Sequence, residues 1–420
     1  MKQRFIQVIK HPLISGSAVI FLGSNAANIF NFLFNFVIVR NLSAANYGDV
    51  MGLISLISIA TMPASSTIPM IINFEARFYA KNEMTHIRGL FFKMSKVLYP
   101  IGLTLFIFFI IFSSWIGEFF NIHNTLLIYI TGFIVFIGYI SVTHTGLLQA
   151  KLAFMFLSVT NLIGTILKYA SVFLFVILGF GATGAMIAYT ISYLVPYLLS
   201  FLNLQFIFDR KIKKEHISFT KLLSYGGPAA VALYALTSFI TTDILLVKHF
   251  FNPEQAGMYA VISLAGRIIF FLTAPIVSVM FPLIIQKHET QKNYKHIFFL
   301  SLLFILVPSM SLTIVYFLFP ELILGLFNQQ KNTSLIGPYL GWFGVYISIY
   351  SILSVTANFF LSIGKTKIYI PLVIGGVFQV GLLWIFHKNF FEVIGISTAI
   401  VSLLLFLFLL YYIKIHGKKE

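Results

Sequence analysis

The chain contains no cysteine, which excludes disulfides, thiolate metal sites and lipid anchors attached through sulfur. Charge is nearly as scarce. Asp, Glu, Lys and Arg make up 10% of the 420 residues, against roughly 25% in soluble domains. So few charges cannot cover a water-facing surface. No grouping of His, Asp and Glu has metal-ligand spacing, and no Gly-rich phosphate loop precedes a Lys. No metal or other cofactor is expected. The stretches expected between apolar segments are too short to hold a soluble active site, which argues against an enzyme.

What the sequence has instead is apolar length. Hydrophobic residues are 59% of the chain and the mean hydropathy is +0.94. The apolar runs recur at about 20 residues each, enough to cross a ~30 Å hydrocarbon layer. They fall at 13–39, 47–72, 94–114, 125–148, 154–178, 182–207, 224–248, 257–285, 297–319, 336–361, 368–387 and 393–413. They lack the alternation of barrel strands, and backbone groups in lipid must be satisfied within the segment, so each is expected to be a helix. The fold class expected is an all-α polytopic membrane protein of about 12 spans.

Basic residues give the orientation. Of the 28 Lys and Arg, 22 fall in the termini and alternate loops that would share one side, and four fall on the other. Such a split follows the positive-inside rule and places both termini in the cytoplasm. Trp115, Trp342 and Trp384 are expected near the outer interface, where indole rings settle. The net charge of +16 is therefore topological, and no nucleic-acid partner is implied.

The two halves repeat weakly. RNLSAANYG at 40–48 matches HFFNPEQAG at 249–257 in position, each a short turn ending in Gly between the first and second spans of a half. IPMIIN at 68–73 is paired with FPLIIQ at 281–286. Six spans per half is an even number, so both halves enter from the same side and relate by an axis along the membrane normal. The domains expected are a six-helix bundle at 1–208, a basic cytoplasmic linker at 209–223 and a second six-helix bundle at 224–420.

These same strings, RNLSAANYGDVMGLISL, LLVKHFFNPEQAGMYAVISLAGR and FPLIIQ, resemble the polysaccharide-exporter branch of the multidrug/oligosaccharidyl-lipid/polysaccharide superfamily, which includes the O-antigen flippases. The resemblance implies a V-shaped pair of six-helix bundles in the cytoplasmic (inner) membrane. Its substrate would be polyprenyl-diphosphate-linked oligosaccharide, moved by alternating access for surface polysaccharide such as lipopolysaccharide. Membrane lipids and other polysaccharide-assembly proteins are the partners it implies.

Polar residues inside the spans are the site candidates. In the first span Ser17, Ser24, Asn28, Asn31 and Asn35 fall within an arc of about 60° at about 100° per residue, with Asn25 beside them. Asn is costly in hydrocarbon, so this stripe is expected to line a pathway, with interhelical hydrogen bonding as the plainer alternative. Ser158, Asn161, Thr165 and Lys168 form a second stripe in the fifth span. A mid-membrane cation costs about 2.5–3.5 kcal/mol on insertion scales, so Lys168 needs a carboxylate, water or an anionic substrate. Arg267, in the eighth span, is a further pathway candidate. Asp243, the one acidic residue read as well inside an apolar run, is either a salt-bridge partner or a coupling or gating group. Two other functions compete with flipping. A cation-coupled drug antiporter is expected to carry an acid in the first span, and none is there. A membrane-embedded glycan polymerase or glycosyltransferase needs a large loop with acid and base residues.

Overall fold

A computed structural model describes residues 12–80, 83–209, 219–289, 293–327 and 333–416. Most of the linker expected at 209–223, and the side chains of Ser17, Ser24 and Asn25, lie outside what is described. Every regular element among the described residues is helical. In chain order the α-helices are α1 (Pro12–Asn41), α2 (Ala44–Ser65), α3 (Ile68–Ala80), α4 (Met84–Ile111), α5 (Ser113–Phe119), α6 (Thr125–Ala150), α7 (Phe154–Ile177) and α8 (Gly181–Leu204). They continue as α9 (Phe219–Phe250), α10 (Pro253–Glu289), α11 (Lys295–Leu318), α12 (Pro320–Phe327), α13 (Thr333–Ser362), α14 (Tyr369–Ile385) and α15 (Phe390–His416). Eleven stretches among the described residues are long and apolar enough to cross a membrane. The 30-residue α1 precedes them. The chain is an all-α polytopic membrane protein.

The repeat is visible in the order of elements. Each half runs through three long helical segments, one short helix, and three more long ones, with α5 and α12 as the short members. The fourth long segment is central in each half. Over their apolar windows 61% of α6 and 72% of α13 are buried, against 28% for α4 and 22% for α11. The peripheral helices show why. On α11 the inward residues are Phe298, Ser301, Ile305, Ser309, Thr313 and Tyr316, while Phe299, Leu303, Val307, Met310 and Ile314 point outward and are exposed. Hydroxyl-bearing residues mixed with apolar ones inside, and bulky apolar side chains outside, is the pattern of a helix solvated by lipid.

The contacts divide the chain into two compact units. The first contains residues 1–41 and 60–227, the second residues 42–59 and 228–420. Thus the N-terminal part of α2 belongs with the second unit and its C-terminal end with the first. The expected span at 47–72 is also not one helix. Pro63 lies inside α2, and Pro69 follows the turn at Ser66 and Thr67. Proline removes a donor and leaves carbonyls unsatisfied. At the break after α2, hydroxyls add to the last carbonyls of the helix, with Ser66 Oγ donating to Pro63 O at 2.9 Å and Thr67 Oγ1 to Ala64 O at 2.7 Å.

The paired turns of the repeat have matching chemistry. Ser43 Oγ accepts from Asn46 N at 3.3 Å at the start of α2, and Asn252 Oδ1 accepts from Gln255 N at 2.8 Å at the start of α10. Both are side-chain caps on the third residue beyond. Within the second unit the equivalent glycines Gly48 and Gly257 meet. A Cβ on Gly257 would overlap Ala44 O, and one on Gly48 would lie 2.8 Å from Gly257 N. Only residues without a side chain permit backbones this close.

Candidate functional site

The first unit contains a cavity of about 520 Å³ bounded by α1, α6, α7 and α8. Helix α1 presents Asn28 and Asn31, α6 presents Thr145 and Gln149, α7 presents Ser158, Asn161, Thr165 and Lys168, and α8 presents Tyr189, Ser192 and Tyr193. Eleven of the fourteen lining residues thus carry a polar side chain, and none is acidic. The two polar stripes read from the sequence come together here because the helices that carry them, α1 and α7, pack against each other. A second hollow of about 300 Å³ shares Thr145, Asn161, Ser192 and Tyr193 with the first and adds the hydroxyls of Thr61, Ser65, Ser141, Tyr197 and Ser200.

Lys168 is the one charged group of the cavity and is 3% exposed. Its Nζ donates to Asn31 Oδ1 and lies 4.6 Å from the Phe34 ring and 5.0 Å from the Tyr189 ring. Neither the amide oxygen nor the rings carry negative charge. Two desolvated cation–π contacts of up to about 2 kcal/mol each and a charge-assisted hydrogen bond of about 1.5–3 kcal/mol can offset the insertion cost of about 2.5–3.5 kcal/mol. Lys168 is therefore held by a neutral amide and two aromatic faces at the cavity wall, with no carboxylate beside it among the described residues.

The other candidates are placed differently. Asn28 and Asn161 are exposed in mid-helix, as lining residues should be. Asn35 is not in the lining. Its Nδ2 donates to Asn31 O at 2.8 Å, so it braces the turn that carries Asn31. Arg267 and Asp243 are in the second unit, where Asp243 is fully buried. Asp243 Oδ2 accepts from the Tyr259 hydroxyl at 2.8 Å, and Arg267 donates Nη2 to Ile240 O. The two charges interact through space but do not form a direct ion pair among the described residues. Around them the Tyr346 hydroxyl donates to Phe239 O at 2.5 Å, Gln379 Nε2 to the same oxygen at 3.1 Å, and the Tyr350 hydroxyl to Leu236 O at 3.1 Å. One face of α9 is thereby tied by side chains from α10, α13 and α14. His144 is likewise bonded, with Nδ1 2.6 Å from Ser200 Oγ and Nε2 3.3 Å from the Tyr99 hydroxyl.

Three features had little signal in the sequence. Tyr189 and Phe34, which flank Lys168, look like ordinary apolar-face aromatics. Lys248, counted among the four basic residues of the outer side, is 1% exposed and pairs with Asp49 at 2.5 Å. Glu75, beyond the end of the expected second span, is fully buried.

The family model described as polysaccharide biosynthesis protein matches residues 13–288, more than half of the chain. The chain belongs to that family. No curated protein matches it by sequence. Among solved structures it is similar to the lipid II flippase MurJ in an inward closed conformation, at 14% identity and TM-score 0.72, covering 94% of this chain and 87% of MurJ. It is also similar to the MATE multidrug transporter DinF-BH, at 15% identity and TM-score 0.69, covering 97% and 96%. A third match is an inward-facing MATE family transporter of the MOP superfamily, at 15% identity and TM-score 0.66, covering 94% and 96%. At such identities the likeness is one of fold, and it agrees with the paired six-span architecture of this polysaccharide biosynthesis family member.

Proposed function

We propose that the protein is a flippase that carries polyprenyl-diphosphate-linked oligosaccharide across the cytoplasmic membrane by alternating access, with both termini in the cytoplasm. The observation that carries this is the cavity of the first unit, in which hydroxyl and amide side chains surround one uncancelled cation and no carboxylate. Sugars offer many hydroxyls of both donor and acceptor character, and Ser, Thr, Asn and Gln can match both. The glycan would occupy this polar hollow while the lipid chain remains in the bilayer, and Lys168 would attract a phosphate or an acidic sugar. Asn31 holds the ammonium in place, and Asn35 holds Asn31. Transport needs no bond making, so the absence of paired acid and base residues from the lining fits the role. Arg267 and Asp243 would serve the second unit, Asp243 as a coupling or gating group whose Oδ1 has no hydrogen-bond partner among the described residues. Family membership and the likeness to MurJ support the same reading. Cation-coupled drug efflux is the second reading, favoured by the MATE matches. A lipophilic cation would meet Lys168 with no carboxylate to receive it, which disfavours that use of this cavity.

The test is reconstitution in proteoliposomes with a fluorescent polyprenyl-diphosphate oligosaccharide. Lys168→Ala should lower its rate of translocation at least about tenfold, the equivalent of losing one charge-assisted contact of about 1.4 kcal/mol or more. An unchanged rate in well-folded Lys168→Ala protein would remove Lys168 from the pathway.

A further inference from the structure

Glu75 lies in α3, three residues beyond the apolar stretch that ends at Ile72. It is 0% exposed, and neither carboxyl oxygen has a hydrogen-bond partner among the described residues. One turn further, the hydroxyl of Tyr79 is also buried without a hydrogen-bond partner among the described residues. Three orphaned oxygens within one turn are unusual, since buried polar groups are almost always satisfied. A carboxylate in such surroundings would have to be neutralised by a cation or by a proton.

The cations on the helices packed against α3 are turned elsewhere. On α4, Arg88 donates Nε to Ile207 O at 2.9 Å and sits over the Phe92 ring. His86 stacks on Phe78 and approaches Glu83 at 3.6 Å. Lys93 and Lys96, further along α4, contribute no charge at Glu75, and Lys96 is exposed. On α6, His144 is held between Ser200 and Tyr99, and beyond its end Lys151 reaches Asn203 Oδ1 at 2.9 Å. Among the described residues burial alone acts on Glu75, and it holds the carboxyl well above the usual carboxylate range. One carboxyl and one phenol are also too few ligands to replace the hydration of a metal cation.

We propose that Glu75 is a proton-binding site. In the conformation described the carboxyl carries a proton. When α3, α4 and α6 separate enough to admit water, the O–H bond breaks, the proton passes to water, and the carboxylate remains hydrated. Return to the buried state takes a proton back from water. The break at Ser66 and Thr67 supplies a joint about which α3 can move relative to α2. The role of this proton in a transport cycle rests on the flippase reading, but its presence does not.

Infrared difference spectroscopy of the purified full-length protein at neutral pH tests the site without any substrate. Wild type should show the C=O stretch of a protonated carboxylic acid that shifts in heavy water, and Glu75→Gln should lose it. Asp243→Asn serves as a control for the other fully buried acid and should leave a Glu75 band in place. Because Gln resembles the neutral acid, Glu75→Gln should retain wild-type abundance, match the wild-type thermal midpoint below the ordinary carboxylate range and exceed it near pH 7. The folded state holds this proton and the unfolded chain releases it above the ordinary carboxylate range. Wild-type stability should therefore fall as pH rises from that range, and the Gln variant should lose that slope. The absence of a Glu75-dependent band, or identical pH slopes in the two proteins, would overturn the proposal. A band with no lipid-oligosaccharide translocation by any variant would uphold the proton site and refute the flippase reading.

Discussion

The pair formed by Asp49 and Lys248 allows a quantitative test of how the second unit is held together. Lys248 lies in the last turn of α9, with its Nζ 2.5 Å from Asp49 Oδ1 on α2. Its stem crosses α2 at Gly52, where an added Cβ would lie 3.0 Å from Lys248 Cγ. The two side chains differ in access to solvent, at 1% for Lys248 and 15% for Asp49. Removing one member of a buried pair costs about 3–5 kcal/mol, chiefly because the other is left buried and uncompensated. The cost should therefore depend on which charge remains. Asp49→Asn takes the carboxylate away from an ammonium with almost no exposure and should fall near the upper figure. Lys248→Met keeps the stem packed on Gly52 and leaves a carboxylate that still touches solvent, so it should fall near the lower one. The double variant strands no charge and should cost less than either single change.

Unfolding of purified protein in detergent, followed by tryptophan fluorescence, would order the four proteins. The expected order of midpoints is wild type, double variant, Lys248→Met, then Asp49→Asn. Additive losses in the double variant would show that the two side chains act independently. A Lys248→Met variant less stable than Asp49→Asn would show that solvent exposure does not set the cost.

Three further outcomes follow from the cavity and the repeat. Because the chain has no cysteine of its own, single cysteines at 28, 31 and 161 should react with membrane-impermeant thiol reagents. A cysteine at 35 should not, since Asn35 is folded onto Asn31 O outside the lining; equal labelling at all four would refute the cavity boundary. Lys168→Arg should retain part of the translocation that Lys168→Ala loses, because charge persists while the fit between Phe34 and Tyr189 changes. Gly257→Ala places a methyl group where Ala44 O now lies, and should cost at least about 1–3 kcal/mol, the range typical of overpacking. A thermal midpoint equal to wild type would mean that α2 and α10 do not meet there.

The parts of this molecule that the sequence makes legible are those set by solvent and by local chemistry. Lipid demands long apolar helices, so the spans stand out. The paired turns at 40–48 and 249–257 stand out because each is short and ends in Gly between two apolar runs. Lys168 is visible because a cation in an apolar run is rare. Its surroundings are not, since Asn31 is 137 positions away and the rings of Phe34 and Tyr189 carry no mark that separates a cation partner from a lipid-facing aromatic. Asn35 shares the arc of Asn31, but an arc defines a direction and not what stands opposite it. Glu75 is hidden for a different reason. The string FEARFYAK after the apolar run looks like a solvated basic loop, whereas the chain resumes as α3 and turns that residue into the first unit. Lys248 and Asp49 show the same limit at the other end of α2: each lies at the edge of an apolar run, where hydropathy alone predicts water. Charge at the margins of spans is therefore where tertiary packing most often overrules a hydropathy reading. Among the described residues those margins hold a buried ion pair, Asp49 with Lys248, and a buried acid, Glu75.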